Sequence, residues 1–122
     1  MKNEGKKGEI HSVNGEQYRT EVLRTYVQSD DPKEKLTLAA LGLTGESGEV
    51  ADHVKKALFQ GHEIDPDHIA KELGDILWYI ALACDAVGYS LDEVMQLNVE
   101  KLRKRYPNGF DVERSIHRAQ YE

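Results

Sequence analysis

The chain has 122 residues, of which 39% are hydrophobic and 31% are charged, and its formal net charge is −6. This length suits one domain, and the composition is typical of a globular protein with a polar surface rather than of a disordered chain. Because no basic stripe interrupts the acidic excess, the sequence argues against a binder of nucleic-acid polymers. An anionic small molecule is still an acceptable substrate, since a bound cation can reverse the local field.

The N-terminal residues 1–15 are polar and glycine-bearing, and we expect them to form a flexible tail. They lack the apolar core of a signal peptide, and the longest apolar run, residues 76–84, is too short to span a bilayer. We therefore expect a cytoplasmic protein with no membrane partner. The single cysteine, Cys84, permits no intrachain disulfide and is expected to be a small buried residue.

The next segment of the chain predicts two helices. Apolar residues at helical spacing predict a first helix over residues 16–28. Asp31 followed by Pro32 provides an N-cap and a first-turn proline for a second helix, which runs to about residue 59. The alternative to a straight second helix is one that is kinked near its three glycines, Gly42, Gly45 and Gly48.

Two further helices are also predicted from capping residues at their starts. Asp65 is the predicted N-cap of a third helix, which ends near Gly88. Ser90 and Glu93 have the spacing of a capping box for a fourth helix that stops before Pro107. No convincing strand alternation or internal repeat occurs along the chain. The sequence thus predicts an all-α fold, a four-helix bundle-like subunit over residues 16–110 with a C-terminal arm over residues 111–122.

Two acidic pairs have the same i, i+3 spacing, Glu46 with Glu49 and Glu72 with Asp75. Within a helix, each pair places its carboxylates roughly 60° apart on one face. Both pairs adjoin apolar residues, and residues 76–84 after the second pair are apolar on nearly every side. Carboxylates in partly dry surroundings need protons or a cation, so a site for a hard divalent cation is the first hypothesis.

Other interpretations of the acidic pairs remain open. One such pair on a helix is usually a solvated face or a salt-bridge partner, and the glycines near Glu46 fit close helix packing as well as close approach of a ligand. A di-iron carboxylate bundle would need Glu-x-x-His pairs, whereas His53 is four residues after Glu49 and has no matching histidine. Mg²⁺ or Mn²⁺ is therefore preferred to iron or zinc.

The stretch Leu41-Gly-Leu-Thr-Gly-Glu-Ser-Gly-Glu-Val-Ala-Asp, followed by Lys71-Glu-Leu-Gly-Asp-Ile-Leu-Trp-Tyr, resembles the MazG-type all-α nucleoside triphosphate pyrophosphohydrolases. That family carries Glu-Glu-x-x-Glu and, after a variable spacer, Glu-x-x-Asp; here 22 residues separate Glu49 from Glu72. The similarity extends over residues 18–110. One departure is that Gly45 stands where the family has its first glutamate, which places the role of that carboxylate in doubt.

The resemblance implies a specific reaction, hydrolysis of a nucleoside triphosphate between its α and β phosphates. It implies that Mg²⁺, or Mn²⁺ in its place, is held by four carboxylates, Glu46, Glu49, Glu72 and Asp75. Glu49, or else Glu46, would accept the proton of the attacking water. The predicted substrate-binding residues are Asn98, Lys101, Lys56, Arg105 and Tyr79. For Lys56 and Arg105, an ordinary surface charge is the competing interpretation, and for Tyr79 it is core packing.

The resemblance also implies assembly into a homodimer or homotetramer, in which the first helix contributes Tyr18 or Tyr26 to a base pocket. The apolar surface of the third helix agrees with such an assembly. Two alternatives to a housekeeping nucleotide pyrophosphatase remain. One is a phosphoribosyl-ATP pyrophosphohydrolase, which shares the fold and the acidic residues, and the other is a helical interaction module without catalytic activity.

Overall fold

The computed structural model describes residues 12–122, which form four long helices and a short C-terminal helical segment. The elements are α1 (Gly15–Thr25), α2 (Pro32–Phe59), α3 (Pro66–Val87), α4 (Leu91–Arg105), α5 (Val112–Ile116) and a 3-10 turn (Arg118–Tyr121). Within the described residues the only β-type pairing is an isolated bridge between Pro107 and Gly109. The predicted all-α class is confirmed. Most of the predicted N-terminal tail, residues 1–11, lies outside the described residues.

The helix starts follow from the capping residues that the sequence shows. Asp31 accepts a hydrogen bond from the Lys33 N–H, and Asp65 accepts from two N–H groups at the start of α3. Ser90 and Glu93 form the predicted reciprocal capping box at the start of α4. These side chains satisfy backbone donors that have no partner inside the helix, which explains why each helix begins where it does.

The first helix is shorter than predicted and is set by different residues. A capping box between Asn14 and Gln17 starts α1, and the helix ends at Thr25 rather than near residue 28. Tyr26 has an extended backbone with φ of −88° and ψ of 119°, and its ring is buried. The helical periodicity that includes Tyr26 therefore continues one residue beyond the helix itself.

The core lies where α1 and α2 pack on α3. Its buried side chains are Val22, Tyr26, Ala39, Ala81 and Leu82, and Leu82 is fully inaccessible to solvent. Cys84 is buried as well, and burial raises the pKa of its thiol. The α2–α3 hairpin makes most of the interhelical contacts, while α4 contacts α1 and, less extensively, α3. Among residues 12–122, every helix is too short or too polar to act as a membrane span.

A buried ion network joins the first three helices. The Asp85 carboxylate on α3 lies 2.8 Å from Arg19 Nη2 on α1 and 2.8 Å from Lys35 Nζ on α2. Burial raises the pKa of Asp85, but hydrogen bonds from Lys35 and Arg19 outweigh that effect, so its net pKa is below the ordinary value. The Lys35 ammonium also lies 5.5 Å from the centre of the Tyr26 ring. The network thus holds α1 against the hairpin.

The C-terminal residues fold back on the end of α4. The Arg114 guanidinium donates to the carbonyl of Lys104 at 3.1 Å and to that of Arg105, and it stacks 3.6 Å from the centre of the Tyr121 ring. Glu122 forms an ion pair with Arg105. The predicted arm therefore contains α5 and the 3-10 turn, which pack on each other, and the 3-10 turn also packs on α4.

Candidate metal centre

Three carboxylates from two helices come together at the α2–α3 hairpin. Glu46 comes from α2, whereas Glu72 and Asp75 come from consecutive turns of α3. One carboxylate oxygen of each lies within 4.8 Å of the corresponding atoms of the other two. Glu46 and Glu72 are partly buried, and Asp75 is exposed. The cluster is therefore accessible to solvent on one side and backed by protein on the other.

The acidic cluster is electrostatically unfavourable without a cation. The pKa of Glu46 is raised, first by a hydrogen bond to the Glu72 carboxyl and then by burial and by the charges of Asp75, Glu72 and Glu49. Like charges at this separation disfavour simultaneous ionisation. A divalent cation removes the conflict, and an all-carboxylate donor set suits Mg²⁺ or Mn²⁺. The residues present therefore fit such an ion.

Glu49 occupies a different position from the three clustered carboxylates. It is exposed and is not part of the group whose oxygens lie within 4.8 Å of one another. Its charge nevertheless helps to raise the pKa of Glu46 and that of Lys56. The two i, i+3 pairs are thus not equivalent, because the first contributes one carboxylate to the close cluster and the second contributes both.

A pair of histidines adjoins the cluster, and one of them was not considered in the sequence analysis. The rings of His53 on α2 and His68 on α3 stack with centroids 5.0 Å apart and an interplanar angle of 30°. His68 Nε2 lies 3.5 Å from Glu72 Oε1. The i, i+4 spacing of His68 and Glu72 is visible in the sequence and could have indicated this contact.

Two of the predicted cationic substrate residues have acidic partners. Lys56 Nζ lies 2.9 Å from the Asp52 carboxylate, and this hydrogen bond is the main reason why the pKa of Lys56 is raised. Arg105 pairs with Glu122, and its side chain is only 12% exposed. The Arg105 Nε atom is buried and has no hydrogen-bond partner among the described residues. Arg105 is therefore withdrawn from solvent, whereas Lys56 is paired but its side chain is still 45% exposed.

Asn98 and Lys101 remain available on α4. Both are exposed, and within residues 12–122 neither side chain makes a hydrogen bond or a salt bridge. No hydrogen bond or salt bridge of the described residues joins α4 to the acidic cluster.

The aromatic residues divide between the core and the neighbourhood of the site. The Tyr79 ring packs against the α2 backbone at Gly42, and Trp78 Nε1 donates to Thr25 Oγ1 at 2.8 Å. Tyr26 is buried, whereas the Tyr18 hydroxyl donates to the Gly74 carbonyl at 3.3 Å. Burial and then the charge of the neighbouring Asp75 raise the pKa of Tyr18. Of the two tyrosines considered on the first helix, Tyr18 is the one beside the acidic cluster.

The fold and the site define an all-α protein with a cluster of carboxylates suited to a divalent cation. Residues 34–110 match the MazG nucleotide pyrophosphohydrolase domain, and the chain belongs to this family. The Gene 37 protein of Mycobacterium phage L5 is 36% identical to it over 83 residues, which are 65% of this chain and 73% of the phage protein. No solved structure gives a significant match. The matched region contains both acidic pairs and all of α4.

Proposed function

We propose that this protein is a Mg²⁺-dependent nucleoside triphosphate pyrophosphohydrolase with a housekeeping role in the nucleotide pool. Membership of the family supplies the reaction class. The observation that carries the metal dependence is the convergence of Glu46, Glu72 and Asp75, whose oxygens lie within 4.8 Å of one another. The products would be a nucleoside monophosphate and pyrophosphate.

The four carboxylates would have different roles in this reaction. Glu46, Glu72 and Asp75 would hold Mg²⁺. When bound, the ion would offset the negative charge of the phosphates and make water a stronger nucleophile. Glu49, being exposed and outside this group, is free to accept the proton from the water that attacks the α phosphorus. The bond between the α phosphorus and the bridging oxygen then breaks, and pyrophosphate leaves.

Side-chain donors on α4 would bind the outer phosphates of the substrate. Asn98 and Lys101 are the stronger candidates because they are exposed and without side-chain partners among the described residues, whereas Lys56 and Arg105 have acidic partners. We also propose assembly into a homodimer or homotetramer, which would cover large apolar side chains that the α2–α3 hairpin exposes.

Pyrophosphate release from a panel of ribo-, deoxyribo- and modified nucleoside triphosphates, together with phosphoribosyl-ATP, tests the proposal. With Mg²⁺ we expect at least one nucleoside triphosphate to be converted, and Glu72→Gln should lower kcat roughly 100-fold or more because it replaces a charged cation ligand by a neutral amide. Glu63→Gln is the matched control, since Glu63 is exposed on the α2–α3 loop and has no side-chain partner among the described residues. Turnover of phosphoribosyl-ATP alone would favour the alternative enzyme, and no turnover at all would favour an interaction module.

A further inference from the structure

Two stacked histidines link the α2–α3 loop to the acidic cluster. The rings of His53 and His68 come from different helices and lie nearly parallel, with centroids 5.0 Å apart. His53 is partly buried, and the side chain of His68 is 49% exposed. The proposed catalytic roles use neither residue, so their arrangement needs its own explanation.

The first histidine has a fixed orientation. His53 Nε2 accepts a hydrogen bond from the Asp65 N–H at 3.1 Å, so that nitrogen must be unprotonated and Nδ1 carries the proton of the neutral ring. Asp65 is also the N-cap of α3, and its carboxylate accepts hydrogen bonds from the N–H groups of Asp67 and His68. Through Asp65, the His53 ring is thus hydrogen-bonded to the first turn of α3, which contains His68.

The second histidine contacts a member of the acidic cluster. His68 Nε2 lies 3.5 Å from Glu72 Oε1, one helical turn along α3. The Glu72 side chain is only 16% exposed, so few water molecules can orient its carboxylate. His68 is not part of the group of three whose donor atoms lie within 4.8 Å of one another. The position of its ring therefore suits a contact with the Glu72 carboxylate rather than with the ion itself.

We infer that His68 is a positioning residue, which orients the Glu72 carboxylate toward Glu46 and Asp75 and is itself held by stacking on His53. The inference rests on the proposed function, because it assumes that the cluster binds a divalent cation. The 3.5 Å separation between His68 Nε2 and Glu72 Oε1 is a close approach rather than a hydrogen bond. A small movement of either side chain would let the imidazole N–H donate to that oxygen and leave the other carboxylate oxygen for the ion. Outer partners of this kind typically change metal affinity about 10- to 100-fold when they are removed.

The test is the binding of Mn²⁺ alone to the nucleotide-free protein, measured by titration with electron paramagnetic resonance of the free ion. Relative to the unaltered protein, we expect His68→Ala to weaken binding about 10-fold or more, and His68→Gln, which keeps a donor, to restore part of the affinity. His53→Ala should weaken binding by a smaller factor, since it acts through the stack. His62→Ala is the control, because His62 is exposed on the same loop and its side chain has no partner among the described residues.

A second measurement separates positioning from a general loss of structure. In the presence of EDTA, the thermal midpoint of the His68 variants should stay close to that of the unaltered protein, because the His68 side chain is half exposed. Tight Mn²⁺ binding by the unaltered protein together with equal binding by His68→Ala would overturn the inference and leave the proposed function intact. If the folded, unaltered protein bound no Mn²⁺, both the metal site and this inference would be wrong.

Discussion

Gly42 and Gly45 lie three residues apart on α2 and have opposite surroundings. A Cβ atom at Gly42 would come within 2.1 Å of the Tyr79 ring, whereas at Gly45 no atom other than the adjoining residues and nearby backbone of α2 lies within 4 Å of the corresponding position. Glycine at position 42 therefore permits close packing of α2 on α3. Position 45 has room for the side chain of the glutamate that the family pattern carries there, so packing within the described chain does not account for its absence.

Substitution of these two glycines by alanine should change the stability in opposite directions. We expect Gly42→Ala to lower the free energy of unfolding by about 1–3 kcal/mol, because the added methyl group displaces the Tyr79 ring. Gly45→Ala should raise it by up to about 1 kcal/mol, because alanine has the higher helix propensity. Urea denaturation followed by circular dichroism measures both. A destabilising Gly45→Ala would show that another surface covers this position in solution.

The ion network of Asp85 determines how three helices are held relative to one another. Its two cationic partners are on α1 and α2, and the carboxylate is only 12% exposed. Asp52 has two lysine partners as well, but all three residues are on α2 and its carboxylate is 43% exposed. The two aspartates therefore allow a comparison of a buried bridge between helices with an exposed bridge within one helix.

Asp85→Asn should lower the free energy of unfolding at neutral pH by roughly 3 kcal/mol, because it leaves Lys35 buried without its counter-charge. Asp52→Asn should lower it much less, as is usual for exposed pairs. Thermal or chemical denaturation of the two variants provides the comparison. Equal costs for the two substitutions would mean that the buried network contributes no more than an exposed pair does.

The same network predicts a pH dependence of stability. The pKa of Asp85 is lower in the folded protein than its ordinary value of 3.8. Its stabilising contribution is thus present above that ordinary value and is lost as the pH falls through the lower, folded pKa. In acid denaturation, Asp85→Asn should flatten the decline in stability below about pH 4. The pKa of Asp52 is also lowered, first by the hydrogen bond from Lys56, but this pair is exposed and screened by solvent, so Asp52→Asn should change the slope less.

At the scale of the whole molecule, many large apolar side chains of the α2–α3 hairpin face solvent. The exposed fractions are 69% for Leu41, 68% for Leu58, 81% for Phe59 and 51% for Leu73. A monomer rarely exposes so many large apolar residues on one pair of helices. A second subunit that covers this surface would explain the exposure, in keeping with the proposed oligomer.

Leu41→Glu should therefore shift the protein toward the monomer in sedimentation velocity, with the weight-average mass falling toward the 13.8 kDa of one chain. Burying an unpaired charge in an interface is costly, so the dissociation constant should rise at least about 10-fold. Val112→Glu is the control, because Val112 is 63% exposed but lies on α5, away from the hairpin. A protein that is monomeric without substitution would contradict the assembly.

Much of the helical architecture could be predicted because its signals are local. Asp31, Asp65 and the Ser90–Glu93 pair act on backbone groups within three residues of themselves, so their effect does not depend on the tertiary fold. The end of α1 was predicted less accurately, because Tyr26 keeps the apolar spacing of a helix although its backbone is extended. A periodic pattern reports which side chains are buried and only indirectly where a helix ends.

The sequence by itself determined the all-α class, three of the helix starts and the two acidic pairs, because these depend on capping, periodicity and spacing within single segments. Only the tertiary structure decided that Glu46 joins Glu72 and Asp75 while Glu49 lies outside, and that His53 stacks on His68. The physical reason is that the rotation of each helix about its axis and its crossing with the next are set by side-chain packing across the hairpin. Spacing along one helix does not contain that information.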